Sequence, residues 1–164
     1  MANRHYNVLF LCTGNSARSI MAEAIMNSRG GERITAYSAG SHPSGNVRPE
    51  ALRELETAGI PATGFRSKSW DEFAKPDSPK MDFIFTVCDN AAHETCPLWP
   101  GHPATAHWGI PDPAAVMGTG EEIRRAYRDA FLRLEKRIVL FLDLPLASLD
   151  TLALKNKLDS IGRQ

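Results

Sequence analysis

The sequence predicts an α/β fold, a three-layer sandwich in which a four-stranded parallel sheet carries helices on both faces. Two short apolar runs, "NVLFLC" at 7–12 and "DFIFTVCD" at 82–89, are typical of strands buried on both faces. Amphipathic segments separate these runs, and strands that alternate with helices form parallel sheets. The length of 164 residues suits one domain with a sizeable core and is too short for two.

Each element follows from a local pattern. Continuous or alternating apolar residues bounded by Gly and Pro predict strands at 7–12, 34–40, 82–89 and 104–109. Apolar residues at helical spacing predict helices at 17–28, 49–59 and 120–142, and a last helix that runs to about residue 160 after Pro145. We expect residues 1–164 to form a single domain with a C-terminal helical extension at about 145–164.

The charge balance excludes some classes of partner. Lys+Arg and Asp+Glu both number 19, so the field of the whole chain is weak, and we expect no nucleic-acid and no membrane partner. Apolar residues make up 43% of the chain, but no apolar stretch approaches the length of a membrane span. The N-terminal apolar run is also too short for a secretory signal. We therefore expect a cytoplasmic protein.

Three cysteines, Cys12, Cys88 and Cys96, stand in this chain. An odd number in a reducing compartment argues against a disulfide framework and favours chemistry, a metal site or inert core thiols. The positions of the cysteines relative to the strands favour a role in a binding site, because ligands of parallel sheets bind at the carboxyl ends of the strands. Cys12, Gly40, Cys88 and the segment near Asp112 each follow a predicted strand, so we expect them at one end of the sheet.

The stretch "LFLCTGNSARS" at 9–19 carries the most specific signal. The stretch predicts a strand, then a turn with Gly14 and Asn15, then the start of a helix. This arrangement forms a cradle for a tetrahedral anion, because backbone amides and the helix N-terminus point into it. The candidate oxyanion-binding residues are Thr13, Gly14, Asn15, Ser16, Ala17 and Arg18. The field of the cradle and Arg18 is expected to lower the pKa of Cys12 and make it a nucleophile, with Ser19 donating a hydrogen bond to its sulfur. The alternative is a buried cysteine that closes a core strand, with Arg18 in solvent.

Asp112 is the candidate general acid. It lies in the breaker-rich segment "GIPDPAA", and a carboxyl group on a loop stiffened by proline can protonate a leaving oxygen. Its alternative use is to cap the segment that starts at Pro113.

These residues resemble the low-molecular-weight protein tyrosine phosphatase superfamily over most of the chain. The resemblance rests on "VLFLCTGNSARS", on "SAG" at 38–40, on "VCD" at 87–89 and on "DP" at 112–113. It implies that Cys12 is the nucleophile, that Arg18 binds the oxyanion and that Asp112 is the general acid.

Two features point to the arsenate reductases of that superfamily, in particular the thioredoxin-coupled type. Ala114 and Ala115 replace the aromatics that follow Asp-Pro in eukaryotic-type phosphatases, and they offer little surface to an aryl ring. Cys88 and Cys96 match the second and third cysteines of the reductases, with a spacing one residue longer than the best-known pattern. The resemblance implies that Cys12 attacks arsenate, Cys88 attacks Cys12, and Cys96 takes the disulfide outward to Cys88–Cys96.

The same resemblance implies the partners. The substrate is a small oxyanion, arsenate, with phosphate or sulfate as a mimic. No tightly bound cofactor is expected, and an external dithiol protein supplies the electrons: thioredoxin, glutaredoxin with glutathione, or mycothiol. Asn15, Glu23 and Ser38 match positions that bind potassium in one reductase branch, and Glu23 is equally consistent with a surface charge. We expect a monomer.

Other functions remain open at the level of sequence. A phosphatase that hydrolyses phosphotyrosine or another phosphoester would use the same Cys12, Arg18 and Asp112. A non-enzymatic oxyanion or arsenite sensor would use the thiols as soft ligands. His93, His102 and His107 near the cysteines match no common zinc spacing. The "GTGEE" segment at 118–122 lacks the rest of a nucleotide phosphate loop and is predicted as a helix start.

Overall fold

A four-stranded parallel sheet organises the molecule. The computed structural model describes residues 4–88 and 103–164. Within them the strands are β1 (Tyr6–Leu11), β2 (Ile34–Ala39), β3 (Phe83–Thr86) and β4 (Ala104–His107), in the order β2-β1-β3-β4. All neighbours pair in parallel, so Leu11 lies between Ala39 and Thr86 at the carboxyl edge. The predicted α/β class is confirmed.

Four α-helices accompany the sheet in the described residues: α1 (Arg18–Gly30), α2 (Pro49–Thr57), α3 (Gly120–Leu142) and α4 (Thr151–Gly162). Thr119 and Glu122 form a reciprocal capping box at the start of α3, which confirms that "GTGEE" begins a helix. Gly31, with φ +57°, ends α1 in a conformation that favours glycine. No described helix combines the length and apolarity needed to cross a bilayer.

Alternate residues of β1 point to opposite faces of the sheet and join two apolar clusters. Val8 and Phe10 belong to the larger one, which also contains buried side chains from all four helices, such as Met21, Leu55 and Leu158. The smaller cluster lies on the other face and contains Leu9, Leu11, Ala39, Phe73, Met81 and Ile84. A short 3-10 helix, Trp70–Phe73, covers that face and contributes Phe73. The sheet is therefore buried on both sides, as a run such as "NVLFLC" requires.

The strand predicted at 82–89 is shorter in the structure. β3 ends at Thr86, and Val87 donates one more hydrogen bond to the Leu11 carbonyl. The ladder stops there because the next β1-side amide that faces β3, that of Thr13, donates to Cys88 Sγ and not to a backbone carbonyl of β3. Cys88 therefore follows the end of β3 beside the segment that leaves β1, at the carboxyl edge where the site lies.

Candidate active site

The loop that follows β1 is held from outside through its carbonyl groups. We call residues 12–18 the cradle. His42 donates its amide to the Thr13 carbonyl (2.9 Å), Ser44 to that of Gly14 (3.0 Å) and Arg48 to that of Ser16 (2.8 Å). In a trans peptide the carbonyl and the following amide point in opposite directions, so these bonds turn the amides of residues 14, 15 and 17 towards the pocket. The Gly14 amide indeed donates to the Cys12 sulfur.

Two residues let the backbone close this tightly. Asn15 has φ +46°, and its fully buried side chain donates to Ser19 Oγ (2.8 Å) and accepts from the Lys68 amide (2.9 Å). Gly40 passes so close beneath the cradle that a Cβ there would lie 2.4 Å from the Thr13 carbonyl oxygen. Only glycine fits at this crossing, which gives the "SAG" motif a steric reason.

Cys12 and Cys88 lie side by side, both buried and both free thiols. The Cys88 thiol is in hydrogen-bonding contact with Cys12, and Cys88 Sγ also accepts from the Thr13 amide at 3.2 Å. Thr13 Oγ1 lies 3.6 Å from the same sulfur. The parallel register of β1 and β3 explains the pairing, because each cysteine follows the carboxyl end of its strand.

The pKa of Cys12 shifts in the direction opposite to the sequence-based expectation. The neighbouring Cys88 thiol, and then burial, raise the pKa of Cys12 in this arrangement. Arg18 and the Gly14 amide lower it, as expected, but they do not outweigh the other two causes. The expectation of a lowered pKa was wrong for the arrangement observed, because it counted the cradle and not a second buried thiol beside the first.

Arg18 and Asp112 meet at the mouth of the cradle. Arg18 Nη1 donates to the Ile110 carbonyl (2.9 Å), and Nη2 lies 3.5 Å from Asp112 Oδ2. The Arg18 side chain is 12% exposed and that of Asp112 is 43% exposed. The carboxylate thus faces both the guanidinium and solvent, which is the position of a group that exchanges protons with a bound molecule.

Asp112 also caps a helix, as its alternative interpretation expected, and its role as general acid stays a prediction. Its Oδ1 accepts from the Ala114 amide (2.9 Å) and caps the short 3-10 helix Pro113–Ala115, while Oδ2 faces Arg18. The cap fixes the rotamer that aims the second oxygen. Val116 and the highly exposed Met117 follow, with no aromatic ring in this turn.

A partly buried ion pair behind the cradle was missed by the sequence analysis. Lys68 Nζ lies 3.7 Å from Glu23 Oε1, and Ser38 Oγ donates to the same oxygen (2.6 Å). Burial raises the pKa of Glu23 and lowers that of Lys68, and each charge partly offsets the shift of the other. The Glu23 oxygen suggested for potassium therefore already faces an ammonium group of this chain. No local pattern in "RSKSW" signals this, since the contact joins residues 45 positions apart.

The remaining candidates have mixed outcomes. Ser19 is fully buried and accepts from Asn15, and its predicted bond to the Cys12 sulfur stays a prediction. Cys96, His93 and His102 lie outside the described residues. His107 is described, and its Nδ1 lies 2.7 Å from Thr86 Oγ1. Among residues 4–88 and 103–164, no group of three or more His, Cys, Asp or Glu side chains converges as a metal site.

Comparison with known proteins agrees with this geometry. The sequence model of the family described as low molecular weight phosphotyrosine protein phosphatase matches residues 7–153. The chain belongs to this family. The match spans the cradle, Cys88 and Asp112, and it ends near the start of α4. The resemblance inferred from the sequence is therefore confirmed.

Within the low molecular weight phosphatase family, the similar proteins include arsenate reductases. An arsenate reductase of Oceanobacillus iheyensis is 37% identical over 134 residues, which are 82% of this chain and 93% of the relative. The crystal structure of arsenate reductase from Archaeoglobus fulgidus is 31% identical, with a TM-score of 0.59 over 80% of this chain and 98% of that one. A structure described as an arsenate reductase in the phosphate binding state is 25% identical, with a TM-score of 0.69 over 84% and 96% of the two chains.

Proposed function

We propose that this protein is an arsenate reductase, in which Cys12 forms a bond to arsenic and Cys88 then displaces it. The observation that carries the proposal is the second buried thiol, Cys88, in contact with Cys12 at the base of an anion cradle. Hydrolysis of a phosphoester needs one nucleophile, one acid and water. A second thiol within reach of the first is needed only when the first sulfur must be oxidised.

The cradle suits a small tetrahedral oxyanion. Inward-facing amides, the N-terminus of α1 and the Arg18 fork supply donors to several oxygens at once. No acidic side chain stands in the first turn of α1, so nothing there repels an anion. The related structure described in a phosphate binding state supports a tetrahedral ligand, because phosphate and arsenate share shape and charge. Ala114 leaves the mouth without a wall for an aryl ring.

The first step joins sulfur to arsenic. Cys12 Sγ attacks arsenate, a sulfur–arsenic bond forms and one arsenic–oxygen bond breaks. The departing oxygen takes a proton from Asp112 and leaves as water, while the thiol proton of Cys12 passes to an arsenate oxygen. Because burial and Cys88 raise the pKa of Cys12, we expect the dianion of arsenate to assist this proton transfer.

The second step reduces arsenic. Cys88 attacks the Cys12 sulfur and a disulfide forms, while the electron pair of the sulfur–arsenic bond stays on arsenic, which leaves as arsenite and takes up the proton of the Cys88 thiol. The Thr13 amide favours negative charge on the Cys88 sulfur through its 3.2 Å hydrogen bond. Cys96 then attacks Cys88, so that the disulfide becomes Cys88–Cys96, and Cys12 returns to the thiol form.

An external dithiol protein closes the cycle by reducing that disulfide. We propose thioredoxin as the reductant, with glutaredoxin as the alternative, and no tightly bound cofactor. A cycle that depends on thiols and on an external dithiol suits a reducing compartment, so we place the reaction in the cytoplasm. We propose that residues 1–164 act as a single phosphatase-like domain with a C-terminal helical extension at about 145–164.

A phosphatase activity is the second candidate. The family match and the arrangement of Cys12, Arg18 and Asp112 support it, because a phosphoryl group fits the same cradle. The deciding experiment measures arsenite formation and p-nitrophenyl phosphate hydrolysis by the same preparation, with thioredoxin, its reductase and NADPH. Arsenate reductase predicts arsenite formation that is lost in Cys88→Ser, while any hydrolysis of the aryl phosphate persists in that variant. Rapid hydrolysis with no arsenite would assign the protein to the phosphatases instead.

A further inference from the structure

A buried arginine outside the cradle binds the segment that carries the general acid. Arg137 on α3 is 4% exposed. Its Nη1 donates to the carbonyls of Trp108 (2.5 Å) and Gly109 (3.1 Å), and its Nη2 donates to the backbone oxygen of Gln164 (3.2 Å). No described carboxylate side chain forms a salt bridge with this guanidinium, so its charge is held by backbone oxygens.

The two carbonyls lie directly before the residues of the site. Trp108 and Gly109 leave the end of β4, and the next carbonyl, that of Ile110, accepts from Arg18 Nη1. Two residues later, Asp112 Oδ2 faces Arg18 Nη2. A displacement at residues 108–109 is therefore transmitted through a few peptide bonds to both contacts of Arg18.

The C-terminal helix holds the same segment from the other side. Trp108 Nε1 donates to the Leu158 carbonyl (3.0 Å), and a Cβ at Gly162 would lie 2.3 Å from the His107 carbonyl oxygen. Most of α4 lies beyond the residues that match the family. Trp108 is fully buried and stacks on Phe85 with ring centroids 3.8 Å apart. The start of the segment that leads to Asp112 is thus in contact with α3, α4 and the sheet.

We infer that Arg137 is a positioning residue for the reaction, which sets the place of Asp112 by fixing the carbonyls of Trp108 and Gly109. The inference rests on the proposed function for its substrate. Burying a charged guanidinium costs free energy, and burial lowers the pKa of Arg137. A guanidinium nitrogen that donates to two successive carbonyls resists rotation of both peptides, which an apolar side chain of the same size does not do.

The test is a double-mutant cycle on the first turnover. The rate of arsenite formation at saturating arsenate is measured for the protein of unaltered sequence, for Arg137→Met, for Asp112→Asn and for the double variant. Arg133→Met, an exposed arginine on the same helix, is the matched control. Because a small misplacement of an acid is costly, Arg137→Met is expected to slow the reaction about 10-fold, Arg137→Lys about 3-fold, and the control less than about 2-fold.

The decisive value is the effect of Arg137→Met when Asp112 is already replaced. A residue that acts through Asp112 changes the rate less than about 2-fold in the Asp112→Asn background. If the two effects multiply, Arg137 does not act through Asp112 and the inference is wrong. All rates are taken below the unfolding transition of each variant, and if Arg137→Met does not fold, the cycle with Arg137→Lys decides by the same criterion. If the unchanged protein forms no arsenite, the proposed function fails, and the cycle on phenyl phosphate hydrolysis tests Arg137 separately.

Discussion

Asp112 Oδ2 lies 3.5 Å from Nη2 of Arg18, so the candidate acid is held by the candidate anion ligand. The contact is asymmetric, because the arginine is nearly buried and the carboxylate is 43% exposed. An incoming oxyanion competes with Asp112 for the guanidinium and arrives next to the carboxyl oxygen. The Arg18–Asp112 contact therefore holds the carboxyl group at the place where an oxygen of the bound oxyanion would arrive.

The first prediction concerns that contact. Asp112→Asn removes the proton donor and also a negative charge that competes for Arg18. We expect arsenite formation to fall about 100-fold, as for loss of a general acid, while phosphate binds about 3-fold more tightly. Calorimetry and single-turnover kinetics measure the two effects, with exposed Asp129→Asn as the control. Weaker phosphate binding in Asp112→Asn would contradict this account of the contact.

The second prediction concerns the thiol pair. Cys88 is the largest cause of the raised pKa of Cys12, so Cys88→Ala is expected to lower that pKa and to extend the reactive thiolate form to lower pH. Alkylation by iodoacetamide, followed residue by residue with peptide mass spectrometry, gives the pH profile of Cys12. We expect the profile to shift towards acid in the variant. An unchanged profile would mean that burial, and not Cys88, raises the pKa of Cys12.

The third prediction concerns the pair behind the cradle. Lys68→Met leaves the Glu23 carboxylate without its cation, which is expected to destabilise the fold by about 3 kcal/mol. The folded-state pKa of Glu23, already raised by burial, rises further above its unfolded value. Stability is then lost as pH rises through that window, so the deficit is smaller at about pH 5 than at about pH 8.

Potassium provides the matched test of the same pair. If the oxygens near Glu23 and Ser38 can hold a potassium ion, the ion should recover part of the stability of Lys68→Met and leave the unchanged protein unaffected. Urea unfolding with potassium or with sodium chloride measures this, and exposed Lys136→Met serves as the control. Equal stabilisation of all three proteins would show a general salt effect rather than a site.

The fourth prediction concerns the crossing at Gly40. A Cβ at this position meets the backbone oxygens of Thr13 and Cys12, which have no room to move. Gly40→Ala is expected to cost about 2 kcal/mol in unfolding free energy and to weaken phosphate binding about 10-fold, because the cradle must open. Gly120→Ala, where a Cβ meets nothing within 4 Å, is the control. Normal phosphate affinity in Gly40→Ala would contradict the steric argument.

The sequence predicted the sheet and its helices because their apolar patterns are local. The runs at 7–12 and 82–89 and the stripe at 120–142 each carry their own period. The predicted end of a strand was wrong where a long-range bond decides it, as at Thr86, where β3 ends because the Thr13 amide bonds to the Cys88 sulfur. The cradle was predictable for a similar reason, since strand, turn, helix and the Cys12–Arg18 spacing lie within one short segment.

Contacts between residues far apart in the chain could not be predicted from local sequence patterns. Lys68 reaches Glu23, and Arg137 reaches Trp108, from distant parts of the chain, and neither residue lies in a recognisable motif. The raised pKa of Cys12 has the same origin, because it depends on how closely the ends of β1 and β3 approach. The pairing of Cys12 with Cys88 was expected from the family resemblance, and the described structure now gives it a geometry.

The central claim is that electrons reach arsenic through Cys12 and Cys88, and disulfide mapping after a single turnover tests it most directly. The reduced protein is mixed with arsenate without any external reductant, and arsenite and disulfides are then quantified. We expect about one arsenite per chain with a Cys88–Cys96 bond, and a Cys12–Cys88 bond trapped in Cys96→Ser. Arsenite formed while Cys12 and Cys88 stay reduced, or no arsenite at all, would contradict the claim.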